Sequence, residues 1–196
     1  TQGLFTVSMK QINAQPIALT KPLLANIRIS QLLLTKDKQL LIGSNRGFYR
    51  LDKYYNILQH LPCVAAHACD NHQEITKLLI DKEKNIWIGT TNGLHIVAQQ
   101  NNSVTTLKHD PKQASSLSNN YITDLHQDEL GNIVVATYAG LDYFNRHTLR
   151  LKKNALPGQE SLVINNAWSL AQQQTRLWVG TFGEGLYQIS AKQQQH

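Results

Sequence analysis

Charged side chains are scarce: Asp, Glu, Lys and Arg make up 16% of the 196 residues. Gln, Asn, Ser and Thr carry the polar share instead, which suits a β-rich protein with many turns. No apolar run is long enough to cross a bilayer as a helix. No secretory leader is visible, because the chain opens on Thr1 with neither a basic region nor a long apolar stretch. Such an opening fits a processed product or an excised piece of a longer chain. Catalytic groups are thin. A glycosidase needs two carboxylates facing each other across a cleft. The 13 acids here mostly fall in turns, as Asp37, Asp81, Glu83, Asp128 and Glu129 do. There is no Ser-His-Asp arrangement, no phosphate loop and no cofactor motif. Asp124 and Glu184 fall near strand ends that rim the expected axis, where a solvated or ligand-binding carboxylate is the expectation.

The formal net charge is +6, yet the 19 basic residues are scattered and not interleaved with aromatics on one element. That is a solvated basic surface and not a nucleic-acid footprint, so no nucleic-acid partner is expected.

Against these absences stands an internal repeat. One unit runs Ile29-Ser30-Gln31-Leu32, a turn, Leu40-Leu41-Ile42-Gly43-Ser44, then Gly47-Phe48-Tyr49. The next runs Ile75-Thr76-Lys77-Leu78, a turn, Ile86-Trp87-Ile88-Gly89-Thr90, then Gly93-Leu94-His95. A third runs Ile122-Thr123-Asp124-Leu125, a turn, Ile133-Val134-Val135-Ala136-Thr137, then Gly140-Leu141-Asp142. The last runs Ala167-Trp168-Ser169-Leu170, a turn, Leu177-Trp178-Val179-Gly180-Thr181, then Gly185-Leu186-Tyr187. The offset from the first residue to the small residue of the second strand is 14, 14, 14 and 13 (43−29, 89−75, 136−122, 180−167).

Each unit reads as a strand, a turn, a short apolar strand covered on both faces, a glycine turn and a third strand. A weaker fourth strand is expected near Ile57–Gln59, Val104–Leu107 and Leu149–Leu151. Four antiparallel strands covered by like sheets make a propeller blade. The expectation is all-β: about four blades plus a partial one, a fragment of a larger propeller. The boundaries are a single propeller segment over 1–190, with a partial blade at 1–24 and repeats at 25–70, 71–117, 118–160 and 161–190, and a disordered tail at 191–196. The second-strand Gly or Ala is expected where packed blades leave no room for a side chain. Trp87 and Trp178 share one slot, filled elsewhere by Leu41 and Val134, and are expected in the core between blades. Open blade edges favour self-association.

The unit resembles the two-component regulator propeller repeat. That family carries Ile-x-x-Leu, an Asp-containing turn, Leu-Trp-Ile-Gly-Thr, then Gly-Leu. The segment Ile75 to Leu94 matches it, with Ile86-Trp87-Ile88-Gly89-Thr90 and Gly93-Leu94, and Leu177 to Tyr187 matches again. Ser118 to Leu125 resembles the lead into the family's first strand. The first unit departs with Leu41 and Ser44, the third with Val134 and Ala136. The resemblance implies a periplasmic, non-enzymatic sensor domain of a membrane-bound signalling receptor. Its parent would carry a transmembrane helix and a histidine kinase or diguanylate cyclase, and the membrane would enter only through that rest of the chain. Relatives that sense nutrients bind oligosaccharides. A protein-interaction scaffold and a propeller lyase or glycosidase are the rival readings.

A propeller face is built from the turns after second strands and the connections into first strands. Those segments supply Arg28, Arg46, Asn92, Asn120, Tyr121, Tyr138, Asn166, Trp168, Phe182 and Glu184 as candidate ligand residues. Asn and Arg hydrogen-bond sugar hydroxyls, and aromatic faces stack on sugar rings. Asn also serves turns without any ligand. His60, Cys63, His67, Cys69 and His72 form the one dense cluster. It admits a Cys63–Cys69 disulfide, two unpaired thiols, or a metal site whose spacing fits no common zinc module.

Overall fold

The computed structural model describes residues 24, 27–62, 74–145, 150–153 and 164–190. The expected partial blade and tail, and all of the Cys/His cluster except His60, lie outside them. No helix among the described residues is long and apolar enough to cross a membrane. The chain divides into two compact units, Thr1–Ile75 and Thr76–His196.

The first unit holds one antiparallel sheet in the order β1 (Ile29–Leu34), β2 (Leu40–Ser44), β3 (Gly47–Leu51), β4 (Ile57–Leu61). Leu24, Ile27, Ile42, Tyr49 and Leu51 form its buried core.

The second unit holds three sheets. The first orders β5 (Ile75–Ile80), β6 (Ile86–Thr90), β7 (Gly93–Val97) and β8 (Val104–Leu107). The next orders β9 (Ile122–Gln127), β10 (Ile133–Thr137), β11 (Gly140–Asn145) and β12 (Arg150–Lys153). The third has β13 (Ala167–Gln173), β14 (Arg176–Thr181) and β15 (Leu186–Ser190). The second strands β6 and β10 are buried along their whole length, as their unbroken apolar runs require.

Two small devices recur in every sheet. A positive φ at Gly47, Gly93, Gly140 and Gly185 closes the turn into the third strand. The preceding hydroxyl residue staples that turn: Thr90 Oγ1 donates to the Gly93 carbonyl at 2.8 Å and accepts from Asn92 N–H at 3.0 Å. Ser44, Thr137 and Thr181 do the same for their own glycines.

The turns between the first two strands of the β5–β8 and β9–β12 sheets carry an aspartate clamp. Asp81 accepts Asn85 N–H at 2.8 Å through one oxygen and the Asn85 amide at 2.8 Å through the other. That second oxygen also takes the indole N–H of buried Trp87 at 2.8 Å, so the tryptophan enters the core with its polar atom satisfied. The next sheet has Val134 in the Trp87 slot and solves the same problem differently. Its cross-strand partner Tyr143 lies in the same buried cluster, and the Tyr143 hydroxyl donates to Asp128 at 3.0 Å. Burial, and then the neighbouring Asp128 charge, raise the Tyr143 phenol well above its ordinary value.

The small second-strand residue is where sheets meet. A Cβ on Gly89 would lie 2.7 Å from Ile122 Cγ2 in the next sheet. The third repeat has Ala136 at this position, and its follower opens on Ala167 in place of isoleucine. Both are fully buried in one core cluster. The extra methyl on one side is matched by a smaller residue on the other. Ala167→Ile should therefore overpack against Ala136 and lower stability by about 1–3 kcal/mol. Adding Ala136→Gly should restore most of the loss in urea unfolding.

His95 sits fully buried on β7, with Nδ1 at 3.0 Å from Thr106 Oγ1. Burial, and then the Lys108 charge, push its pKa down to about 4. The unfolded chain binds that proton near its ordinary value of about 6.5, so between about 6.5 and 4 the unfolded state holds more protons. The contribution of neutral His95 is present above that window and is lost as pH falls through it. The urea midpoint should drop between pH 7 and pH 4, and His95→Gln should flatten that drop.

Candidate functional site

Four aromatic rings of the second unit form a continuous row. Tyr121 and Tyr138 stand 4.3 Å apart between ring centroids, Tyr138 and Trp168 5.6 Å, Trp168 and Phe182 5.7 Å. Successive planes are tilted by 37°, 45° and 40°, neither stacked flat nor edge-on. Tyr138, Trp168 and Phe182 are 39%, 45% and 72% exposed.

The backbone beneath fixes this row. Tyr138 N–H donates to the Tyr121 carbonyl at 3.2 Å, and Asn166 N–H to the Tyr138 carbonyl at 3.2 Å. Phe182 N–H donates to the Asn166 carbonyl at 2.9 Å. Asn166 makes the link with φ at +48°, a conformation asparagine tolerates better than most residues. Trp168 owes its direction to a bulge. The β13–β14 register runs Ala167 to Thr181 and then Ser169 to Gly180, which leaves Trp168 as the extra residue. Bulges re-aim side chains in this way. The same irregularity falls at Thr123 in β9–β10 and at Ser30 in β1–β2. Thr123 spends its hydroxyl on the Ala167 carbonyl at 2.6 Å, whereas Trp168 is exposed.

The remaining candidates divide by unit. Arg28 and Arg46 belong to the first. Arg28 is paired with Glu74, and its N–H donates to Asn45 Oδ1 at 3.0 Å. Arg46 is exposed at the β2–β3 turn. In the second unit, Asn120 Oδ1 accepts His109 N–H at 2.7 Å, which ties down the connection into β9. Asn92 holds the stapled β6–β7 turn. Glu184 borders the row, with Asn165 donating at 3.4 Å and the Tyr187 hydroxyl at 3.3 Å. His60, in the first unit, is stacked flat on Tyr49 with centroids 4.1 Å apart.

Two expectations change. Asp124 is neither solvated nor open to a ligand: it is buried and clasps three strands. Lys77 Nζ of β5 lies 2.6 Å from one carboxylate oxygen. The other accepts Leu170 N–H of β13 at 2.7 Å. Trp178 is only partly buried, unlike its buried counterpart Trp87. Sequence reading also missed the hydroxyl staple, although its signal is plain: a Ser or Thr at the same place in all four units.

The stretch that holds Trp87 and Gly89 matches a family model. Residues 70–92 match the two component regulator propeller repeat. No curated protein matches the chain. Solved structures with this propeller fold include the extracellular domain of a hybrid two component system from B. thetaiotaomicron, with TM-score 0.69 and 19% identity, matching 85% of this chain. Another is the extracellular domain of a protein described as a one component system from the same organism, with TM-score 0.64, 22% identity and 82% of this chain matched. PorZ of Porphyromonas gingivalis, a surface component of the type-IX secretion system, matches 87% at 15% identity and TM-score 0.60. The propeller segment spans 24%, 21% and 27% of those chains respectively.

Replacing Asp124 by Ala strands Lys77 and the Leu170 N–H together. The loss should be roughly 2–4 kcal/mol in chemical denaturation. Asp124→Asn should lose less, because its amide oxygen can still accept the N–H.

Proposed function

We propose that this chain is a ligand-binding, non-enzymatic part of the extracytoplasmic, periplasmic sensor domain of a membrane-bound signalling receptor. The ligand is a small molecule or oligosaccharide lying across the Tyr121–Tyr138–Trp168–Phe182 row. The observation that carries this reading is the exposure of three adjacent large aromatics held by a rigid backbone ladder. Contiguous exposed aromatic surface marks a recognition site more often than an accident of folding. Aromatic faces stack on the apolar faces of sugar rings, and the bordering Asn165 and Glu184 supply hydrogen-bonding groups beside them. The fold match to extracellular domains of two component systems supports the receptor context.

The two acids nearest the rim argue against turnover. Asp124 is committed to Lys77 and Leu170, and Glu184 is engaged by Asn165 and Tyr187. The row crosses from the β9–β12 sheet to the β13–β15 sheet, so a ligand spanning it touches both. Binding then favours one spacing of those sheets over others, which is a population shift available to the rest of the receptor.

Calorimetric titration with a panel of neutral and acidic oligosaccharides, amino acids and nucleotides tests the reading. A saturable sugar signal is expected, weakened about tenfold by Trp168→Ala, with the melting curve of the free protein unchanged. A folded chain that binds nothing in the panel would contradict it.

A further inference from the structure

The aromatic row has charge of one sign beside it. The turns and connections that frame it, residues 119–121, 138–140, 165–168 and 182–185, hold a single charged side chain, Glu184. The sheet at that end of the row is as sparing: residues 167–190 hold two charged side chains, Glu184 and Arg176. Arg176 opens β14 and Phe182 follows its other end, so about 20 Å of extended chain separates them. Lys108 follows β8 and Lys153 ends β12, which places both in the preceding sheets, toward the Tyr121 and Tyr138 half of the row. In a chain of formal net charge +6, the Trp168–Phe182 half is acidic ground.

Glu184 is exposed, and neutral donors alone meet its carboxylate. The Asn165 amide donates to one oxygen at 3.4 Å and the Tyr187 hydroxyl to the other at 3.3 Å. A carboxylate accepts about four hydrogen bonds, so each oxygen keeps room for another donor. No cation among the described residues pairs with it. Its own N–H donates to Thr181 Oγ1 at 3.1 Å, which fixes it to the stapled turn that presents Phe182. The Phe182 ring lies 5.7 Å from that of Trp168, tilted by 40°. A cation over an aromatic face is attracted within about 6 Å of the centroid, most strongly by tryptophan. Aromatic faces and a carboxylate therefore attract the same class of group, and the carboxylate repels the opposite class.

We propose that the ligand across this row carries a protonated amino group at its Phe182 end, as an amino-sugar oligomer does. The inference rests on the ligand reading above and adds the sign of the ligand's charge. The ammonium group lies by the Trp168 and Phe182 rings and the Glu184 carboxylate, and further sugar rings continue over Tyr138 and Tyr121. Acidic glycans, to which the net charge of the whole chain points, are disfavoured at this row.

Calorimetric titration with trimers of glucose, glucosamine and glucuronic acid, all of the same linkage, isolates the charge. At about pH 6 the amines are protonated and the carboxylates ionised. The glucosamine trimer should bind about tenfold more tightly than the glucose trimer, and the glucuronate trimer most weakly. Added salt should shrink that preference. Glu184→Gln keeps the side chain's shape and removes its charge, and it should erase the difference between the glucosamine and glucose trimers. Trp168→Ala should weaken both. Equal binding of those two trimers, or a preference that survives Glu184→Gln, would overturn the inference and leave the ligand reading standing. So would tighter binding of the glucuronate trimer. Failure of a folded chain to bind any of the three would contradict the ligand reading itself, and this inference would fall with it.

Discussion

The fit between a second-strand glycine and the first residue of the following sheet sets how closely these sheets can approach. At 2.7 Å between Ile122 Cγ2 and the place a Gly89 Cβ would occupy, the two backbones are as near as isoleucine allows. That approach dries the surface between the sheets. Trp87, Leu94, Ile122 and Val135 lose nearly all contact with water as a result. Each such side chain contributes about 1.5–3 kcal/mol. Close packing also forces polar atoms to find partners. Trp87 N–H therefore needs Asp81, and Asp124 needs Lys77 and Leu170 N–H. The turn clamp and the strand clasp are consequences of the spacing.

Much of the fold could be read from the sequence, because a blade is specified by few positions at fixed offsets. Apolar second strands, a small residue and a glycine turn recur, and each has one physical cause. The single offset of 13 has its cause in a shorter turn, where Gln173 pairs directly with Arg176. Compensations were harder to read, because they join residues distant in sequence. Val134 in a tryptophan slot looks like a loss until Tyr143 is placed across the strand. Ala136 looks like a departure until Ala167 is found in the same buried cluster.

The site was legible as a face but not as a row. Tyr121, Tyr138, Trp168 and Phe182 fall in turns and connections that share one end of the sheets, which the repeat register alone indicates. Their continuity depends on the bulge at Trp168 and on the positive φ of Asn166. Neither has a local sequence signal, since Thr123 at the same bulge is an ordinary inward hydrogen-bonding residue. Asp124 was misplaced for a related reason: its strand position suggests an open rim, and only the neighbouring strands show that Lys77 and Leu170 close over it.

One constraint thus connects the repeat to the proposed function. Sheets held at close spacing give the exposed aromatics their base, and under the proposed function a ligand across the row would act on the neighbouring spacing, where Ala136 and Ala167 meet. The most direct measurement is a double-mutant cycle at Gly89 and Ile122, using Gly89→Ala, Ile122→Ala and the pair, with stability from urea unfolding. Gly89→Ala alone should be destabilising, and far less so once Ile122 is truncated, with a coupling of about 1 kcal/mol or more. Strictly additive losses would mean that the two residues do not set the spacing between sheets, and would contradict the account.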